Sequence, residues 1–293
     1  MMRARLDLMT QQCCGLVVFV MLVNLSWSEQ VWGGAYSGPT QVAGAAVDLA
    51  IPATSPRFIQ WANAIDATRT HFAPRGSSAI SLTGVNSLGD LSASEIASGD
   101  SPGYLTVTFP KSIRNGPGAD FAVFENGFAF GSPNGLFAEF AYVEVSTDGT
   151  NFARFPSIFT NTAPVTGSGA FAGFDVSNVY NLAGKHASGF GTPFNLDDLL
   201  LNTLVLANQV NLADIRYVKL VDIPGNGTFK DSQGNPILDN WLTTATGGFD
   251  FRLPIGQGVG VISMIPEPTT VVLMAFGSCI VVRRRRDRHR RKT

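Results

Sequence analysis

The stretch Ala141–Phe155, AYVEVSTDGTNFARF, decides the fold class of this chain. Its first part alternates apolar and polar side chains with the two-residue period of a β-strand, and a second short β-favouring run, Phe152–Phe155, closes it. Between the two runs stands Asp148-Gly149, a dipeptide typical of tight hairpin turns because glycine readily adopts the positive φ that such turns require. The stretch therefore predicts an antiparallel β-hairpin.

Short runs of the same kind continue along the chain, separated by Gly, Pro, Asn and Asp residues. The clearest further strands predicted from them are Tyr104–Phe109, Asp120–Glu125, Phe140–Ser146, Ile215–Ile223 and Phe249–Leu253. Two stretches favour a helix, Pro56–Ala67 and Leu196–Leu206, the second with Asn195 as its N-cap. Many short strands with abundant turn residues predict an all-β body, a β-sandwich of jelly-roll type.

The charges of the 293-residue chain are unevenly distributed, although the formal net charge is only −1. With 15% charged residues, 31 Gly and 21 Phe, the composition argues against a coiled coil and against a disordered regulator. Residues 29–264 hold 11 Lys or Arg and 19 Asp or Glu, a net charge of −8, whereas residues 283–293 carry +7. An acidic body favours divalent cations as partners and disfavours nucleic acid.

The N-terminus has the order of features found in a secretory signal peptide. Arg3 and Arg5 precede the apolar run Leu16–Leu25, and small residues around Ser26 and Ser28 follow it. We therefore expect residues 1–28 to be a signal helix that is removed during export by cleavage after Ser28, with a site after Ala35 as the second choice; a buried helix is the alternative.

The C-terminus combines an apolar stretch with a basic tail. Residues 269–282, TTVVLMAFGSCIVV, carry no charge, and the Arg-rich segment 283–293 follows directly. Fourteen helical residues span ~21 Å, which is shorter than a ~30 Å hydrocarbon core, and snorkelling Arg side chains can make up the difference. We expect a short transmembrane helix with a cytoplasmic tail, because basic clusters stay on the cytoplasmic side.

Pro266-Glu267-Pro268, followed by this apolar stretch and the Arg cluster, closely resembles a PEP-CTERM sorting signal. The resemblance implies recognition by an exosortase, a membrane protease-transpeptidase of Gram-negative bacteria that produce exopolysaccharide. The secretion machinery and this enzyme would then deliver the body, residues 29–264, to the cell surface or extracellular matrix and remove residues 265–293. A permanent C-terminal membrane anchor is the alternative.

A second resemblance concerns the body. AYVEVSTDGTNFARF and IRYVKLVDI, residues 215–223, are similar to strands of galactose-binding-like, discoidin-type sandwiches. The segments NGPGADFAVFENGF (115–128), NLAGKHASGFGTPFNLDDL (181–199) and DIPGNGTFKDSQGNPILDN (222–240) resemble a class of PEP-CTERM surface proteins of unknown activity. That class implies no established chemistry.

The segment 222–240 is the predicted cation site. It offers carboxylate and amide oxygens at five positions among three glycines, and Ca²⁺ prefers six to eight such oxygens on a tightly turning loop. The predicted ligands are Asp222, Asn226, Asp231, Asn235 and Asp239. The alternative is a solvated loop that uses Asp and Asn for its turns.

Two further features suggest chemistry. Glu125 and Glu139 stand at the ends of a Gly-rich loop and form the carboxylate pair best placed for acid–base hydrolysis, with structural hydrogen bonding or a second cation site as alternatives. Trp241, beside the Asp-rich segment, is the predicted sugar-binding ring. No H-E-x-x-H motif occurs. The sequence therefore favours a non-catalytic exported surface protein that binds calcium and polysaccharide over a secreted hydrolase acting on matrix polysaccharide.

Mass spectrometry of the mature protein tests the expected processing. Because the two prolines keep the cleavage region extended and accessible, the mature C-terminus should lie near Pro266–Pro268. Residues beyond Pro268 in the mature protein would contradict exosortase processing and support a permanent anchor.

Overall fold

The computed structural model describes residues 34–131, 133–161, 172–243 and 247–262. The predicted signal peptide and the sorting signal, including Pro266, Glu267 and Pro268, lie outside these ranges. Within them the chain forms mostly short strands: β1 (Ile51–Pro52), β2 (Phe58–Trp61), β3 (Ala64–Ile65), β4 (Asn86–Ser87), β5 (Tyr104–Ile113), β6 (Phe121–Val123), β7 (Phe128–Ala129), β8 (Gly135–Phe137), β9 (Ala141–Ser146), β10 (Ala153–Arg154), β11 (Ile158–Phe159), β12 (Phe174–Asp175), β13 (Val179–Tyr180), β14 (Phe190–Phe194), β15 (Ile215–Asp222), β16 (Asn226–Lys230), β17 (Pro236–Leu238), β18 (Asp250–Phe251) and β19 (Val259–Ile262).

Helical structure in the described ranges is confined to short segments. These are α1 (Ala93–Ser98), α2 (Thr203–Leu206) and three 3-10 turns at Ala67–Arg69, Val176–Asn178 and Leu196–Leu199. None of these helices is long and apolar enough to cross a membrane. The described part of the protein is therefore all-β.

The strands form two five-stranded antiparallel sheets and several smaller ones. The strand order is β1-β14-β6-β19-β2 in one sheet and β10-β9-β15-β5-β3 in the other. Apolar side chains from both sheets, such as Phe121 and Val259 from the first and Leu105 and Leu220 from the second, belong to one buried cluster. The two sheets therefore share a hydrophobic core.

The central strand β15 shows how the sequence pattern produces this core. Leu220 stands opposite Leu105 of β5 and opposite Val143 of β9, and all three side chains are buried. Lys219, the residue before Leu220, points to the other face of the sheet, where its ammonium group lies 2.5 Å from the Glu144 carboxylate. The alternation of apolar and polar residues thus matches the two faces of the sheet.

A second buried cluster covers part of the outer face of this sheet. Phe140 and Tyr142, which alternate with the inward residues of β9, pack with Phe159, Phe174 and Ile237. The sheet is therefore buried on both faces near the start of β9, and polar groups located there are removed from water.

The structure confirms most of the predicted strands and corrects one predicted helix. The hairpin at 141–155 forms as expected, with Val145 opposite Ala153 and Glu144 opposite Arg154. The helix predicted at Pro56–Ala67 is wrong, because this stretch supplies β2, β3 and a 3-10 turn. The reason is tertiary: β2 pairs with β19, where a Cβ at Gly260 would lie 2.6 Å from the Phe58 ring, so glycine makes room for the aromatic side chain.

The second predicted helix, Leu196–Leu206, is broken rather than continuous. Asn195 caps a 3-10 turn by accepting a hydrogen bond from the Asp197 amide, as its position predicts. Asn202 then accepts from the Leu204 amide and starts α2 as a separate helix. By capping a new helix, the Asn202 side chain competes with continuation of the preceding 3-10 turn.

Replacing Leu220 by alanine should lower the free energy of unfolding by about 2–5 kcal/mol, because the substitution leaves a cavity in the shared core. The matched control is Leu201→Ala: Leu201 is 85% exposed, so its loss should change stability by no more than about 0.5 kcal/mol. Urea denaturation of both variants measures the difference. Equal effects would contradict the placement of the core.

Candidate metal centre

Six acidic side chains located at or near strand ends lie close enough for their charges to interact. They come from six separate segments of the chain: Asp90 after β4, Glu125 after β6, Glu139 before β9, Asp222 at the end of β15, Asp239 after β17 and Asp250 in β18. We call these six residues the carboxylate cluster. The first five are at most 7% exposed, and Asp250 is half-buried.

Backbone amides hold several of these carboxylates by one oxygen atom. The Phe249 amide donates to Asp222 Oδ1 at 2.7 Å, and the Phe140 amide donates to Asp239 Oδ2 at 3.0 Å. At Asp90, both the amide and the hydroxyl of Thr243 donate to Oδ2, at 3.0 and 2.6 Å. Each side chain is thus fixed in position while its second oxygen stays available.

Glu125 and Asp250 are held in a comparable way. The Gly127 amide donates to Glu125 Oε2 at 2.5 Å. Asp250 accepts from the Ser87 hydroxyl through Oδ1 and from Asn126 Nδ2, at 2.9 Å, through Oδ2.

Glycines allow the backbone to approach the cluster closely. A Cβ on Gly225 would lie 1.7 Å from Asp239 Oδ1, closer than any real contact. Gly248 has a φ of +75°, and a Cβ there would lie 2.5 Å from Asp222 Oδ1. Both positions therefore require glycine, one for space and the other for space and backbone conformation.

Burial raises the pKa of each fully buried member of the cluster, and neighbouring negative charges raise it further. The pKa of Glu125 rises to about 8, first through burial and then through the charge of Asp250. The pKa of Glu139 rises well above its ordinary value through burial and then through the charge of Glu125. Asp222 and Asp239 have strongly raised pKa values through burial and the charge of Asp90. Ionisation of all carboxyl groups in the cluster is therefore unfavourable unless a positively charged partner binds there.

Positive side chains do not supply that charge. None of the six ion pairs formed among the described residues includes a member of the cluster. The charge of Arg75 acts on Asp90, but its guanidinium is paired with Glu95 at 2.7 Å. Buried carboxylates of this kind are ordinarily paired or bound to a metal ion.

Several carboxylate oxygen atoms of the cluster receive no hydrogen bond from the described residues. Asp222 is 0% exposed, and its Oδ2 is buried with no hydrogen bond from the part of the chain that the structure describes. Glu139 is also buried, and no hydrogen bond to its carboxylate comes from the described residues. An unpartnered buried acceptor costs about 1–3 kcal/mol, and more when it is charged.

In the structure, the carboxylate oxygens of the cluster do not surround a common point at which one ion could be coordinated. Among the described residues, no three His, Cys, Asp or Glu side chains are arranged closely enough to coordinate one ion as they stand. The side chains would have to rotate for a cation to contact several of them.

The five ligands predicted from the sequence fall into two groups. Asp222 and Asp239 belong to the carboxylate cluster. Asp231 instead closes the β16–β17 hairpin: it accepts hydrogen bonds from the amides of Gln233 and Asn235. Burial alone would raise its pKa, but hydrogen bonds from the Asn235 side chain and from the amides of Phe159, Asn235 and Gln233 lower it overall.

The two predicted amide ligands also make turn contacts. Asn226 Oδ1 accepts from the Thr228 amide at 3.0 Å, and Asn235 Nδ2 donates to Asp231 Oδ2 at 3.0 Å. The structure therefore brings Asp222 and Asp239 together, and it uses the other three residues to shape the hairpin.

The remaining sequence candidates lie in or near the cluster. Glu125 and Glu139 are brought together, as their pairing in the sequence analysis required. Trp241 is half-buried and donates from Nε1 to the Leu91 carbonyl at 2.9 Å, so its ring is held in place.

Sequence reasoning missed Asp90 and Asp250. Each is a single acidic residue within two positions of a glycine and at or near a strand end, in Gly89-Asp90 and Gly248-Phe249-Asp250. That local pattern was the available signal, but only the sheet pairing of β4 with β18 brings the two segments together.

Comparison of the chain with protein-family models and with curated proteins finds no significant match.

Without divalent cations, the free energy of unfolding should fall as the pH rises from about 4.5 towards about 8. The carboxyl groups with raised pKa values keep protons in the folded protein that the unfolded chain has already released, so the folded state binds more protons across this range. Their stabilising contribution is complete below the ordinary pKa near 4.5 and is lost as the pH passes through the raised values. Urea denaturation in EDTA across this range measures the effect.

Glu125→Gln should make this fall shallower because it removes one titrating group. Asp100→Asn, at an exposed position, should leave the slope unchanged. Stability that rises or stays level with pH in EDTA would show that the cluster does not titrate as described.

Proposed function

We propose that this chain is a non-catalytic, exported cell-surface or extracellular-matrix protein whose β-sandwich body binds calcium at the carboxylate cluster. The observation that carries the proposal is Asp222 Oδ2, a fully buried carboxylate oxygen without a partner among the described residues, on a side chain whose charge interacts with those of Asp90, Asp239 and Asp250. A cation at this point would turn an unfavourable buried charge into a coordinated one.

The chemistry of the cluster favours Ca²⁺. Its ligands are carboxylate oxygens, which hard cations prefer, and Ca²⁺ accepts six to eight oxygens in flexible geometry. The oxygens opposite the anchored ones, Asp90 Oδ1, Asp222 Oδ2 and Asp239 Oδ1, together with the Glu139 carboxylate, would turn towards the ion. Because hydrogen bonds hold the other oxygen of each of the three aspartates, this movement would be a rotation of the side chains.

Export and calcium binding support each other. The body, residues 29–264, has a net charge of −8, and an acidic protein of this kind suits an environment rich in divalent cations. Extracellular calcium modules work with dissociation constants of about 10⁻⁴–10⁻³ M. Sorting by an exosortase, inferred from residues 265–293, would deliver the body to that environment.

The fold and the carboxyl pKa values support a binding role. Two antiparallel sheets over a shared core are what a galactose-binding-like jelly roll would require. A glycosidase needs one protonated and one ionised carboxyl group, whereas burial raises the pKa of both Glu125 and Glu139. Neither glutamate has the ordinary or lowered pKa that the ionised member of a glycosidase pair requires.

Thermal unfolding with and without calcium tests the proposal. The full-length protein should show a rise in Tm of several degrees in millimolar Ca²⁺ compared with EDTA, since ligand that binds only the folded state stabilises it. Asp222→Asn should lose most of this rise. In EDTA the variant should be as stable as the unsubstituted protein or more so, because it removes a buried carboxyl group that must either keep a proton or carry an unpaired charge.

The matched control is Asp100→Asn, which removes an exposed acidic charge and should keep the full response to calcium. Isothermal titration of the same three proteins with CaCl₂ gives the affinity directly. Absence of any calcium-dependent shift in the unsubstituted protein, or an unaltered shift in Asp222→Asn, would refute the site.

A further inference from the structure

A lysine and an aspartate outside the carboxylate cluster form a buried ion pair. Lys185 lies in the loop between β13 and β14, Asp48 lies in the segment before β1, and Lys185 Nζ donates a hydrogen bond to Asp48 Oδ2. Of the six ion pairs formed among the described residues, this is the one in which both side chains are almost completely buried, at 0% and 3% exposure. Removing two charges from water is costly, and their attraction often does no more than offset that cost. A reaction that removed both charges would therefore be favoured here.

The surroundings of Lys185 favour its uncharged form. Besides Asp48, the ammonium group donates to the Val179 carbonyl at 2.7 Å and lies 5.6 Å from the centre of the Tyr36 ring. Burial lowers the pKa of Lys185 to about 8, although the charge of Asp48 raises it. A neutral amine is thus accessible near neutral pH, and a desolvated neutral lysine is a nucleophile.

The two oxygen atoms of the Asp48 carboxylate have different partners. The Ser37 amide donates to Oδ1 at 2.8 Å, whereas Oδ2 accepts from the Lys185 ammonium group. The Ser37 hydroxyl also donates to the backbone carbonyl of Asp48 at 2.8 Å, so the aspartate is held at two points. A backbone amide placed in this way stabilises negative charge that develops on a carboxyl oxygen when its carbon is attacked.

The residue after Lys185 fixes the position of Ser37. His186 is 1% exposed, and its Nδ1 donates to the Gly38 carbonyl at 3.1 Å. Burial and then the charge of Lys185 lower the pKa of His186 to about 3, so the ring is neutral at neutral pH. The amine, the carboxyl group and the amide that would stabilise the oxyanion are therefore held together by neighbouring residues of two loops.

We infer that Lys185 and Asp48 become joined by an amide bond, an intramolecular isopeptide cross-link between their side chains. One ammonium proton moves to Asp48 Oδ2, and the neutral Nζ attacks the carboxyl carbon, Cγ. Negative charge develops on Oδ1 beside the Ser37 amide. Nζ then gives a second proton to Oδ2, which leaves as water, and the third proton stays on the amide nitrogen. One ammonium and one carboxylate thus become one amide and one water molecule, without an oxidant or another reactant.

The cross-link would fasten a segment that the sheets hold weakly. Residues 34–50 form no strand or helix and are mostly exposed, and Asp48 is 137 residues from Lys185 in the sequence. Residues 29–264 contain no cysteine, so a disulfide cannot hold this segment. A covalent link across so long a loop restricts the unfolded chain strongly and stabilises the folded protein.

Mass spectrometry of the purified full-length protein tests the inference. The protein should be lighter than its sequence by the mass of one water molecule. Trypsin should release the peptide that contains Asp48 joined to the peptide that contains Lys185, with cleavage after Lys185 blocked. The result should be the same in Ca²⁺ and in EDTA, because neither side chain belongs to the carboxylate cluster.

The ion pair of Lys219 with Glu144 is the control within the same protein. Its side chains are 21% and 9% exposed, and Glu144 also pairs with Arg154, so the charges are better compensated and this pair should stay unlinked. Lys185→Arg keeps a positive charge, but the guanidinium group stays protonated and does not attack the carboxyl carbon. This variant should therefore have the full mass of its sequence.

The mass of the unsubstituted protein decides the question even if the variant does not fold. The full sequence mass, with the two tryptic peptides released separately, would show that Lys185 and Asp48 form only an ion pair. Loss of water located at Asp148-Gly149 would also overturn the inference, since an aspartyl-glycine sequence loses one water when it cyclises to a succinimide. Hydroxylamine distinguishes the two products, because it cleaves a succinimide and leaves an isopeptide bond intact.

Discussion

Negative charge buried without basic partners is the constraint on which this structure depends. Six carboxylates from six segments meet near the ends of the sheets, and none of the ion pairs among the described residues neutralises them. Their mutual repulsion and burial raise the pKa values of the buried members, so the folded body must carry protons or cations there. The calcium proposal follows from this electrostatic condition.

Packing of the hydrophobic core makes it possible to hold the six acidic side chains of the carboxylate cluster close together. β15 is paired on both sides, by β5 and β9, and its alternating apolar residues fix the register that brings Asp222 to the end of the strand opposite Ala141. The second buried cluster then covers the start of β9 and shields Glu139 and Asp239 from water. Packing of the two buried clusters provides free energy that offsets the repulsion between the acidic side chains. Each hydrophobic contact contributes little, but many of them add up.

Local sequence signals predicted the strands well and the helices poorly. The hairpin around Asp148-Gly149 and strand β15 follow from alternation and turn chemistry, which act over a few residues. The helix expected at Pro56–Ala67 does not form because β2 gains pairing with β19, some two hundred residues away. Composition identified Asp222 and Asp239 within an Asp-rich segment, but it also selected Asp231, whose oxygens accept hydrogen bonds from its own hairpin and from the Phe159 amide of β11.

The amino-acid sequence by itself determined that the body is all-β, that it is acidic, and where its basic and apolar end segments lie, because these properties depend on composition and on neighbouring residues. Only the tertiary structure decided which carboxylates face one another. Asp90, Glu125 and Asp250 are far apart in the chain and have no shared motif; antiparallel pairing and close approach at glycines bring them to one place. A site assembled from strand ends is a property of sheet order and register, and these are set by long-range contacts.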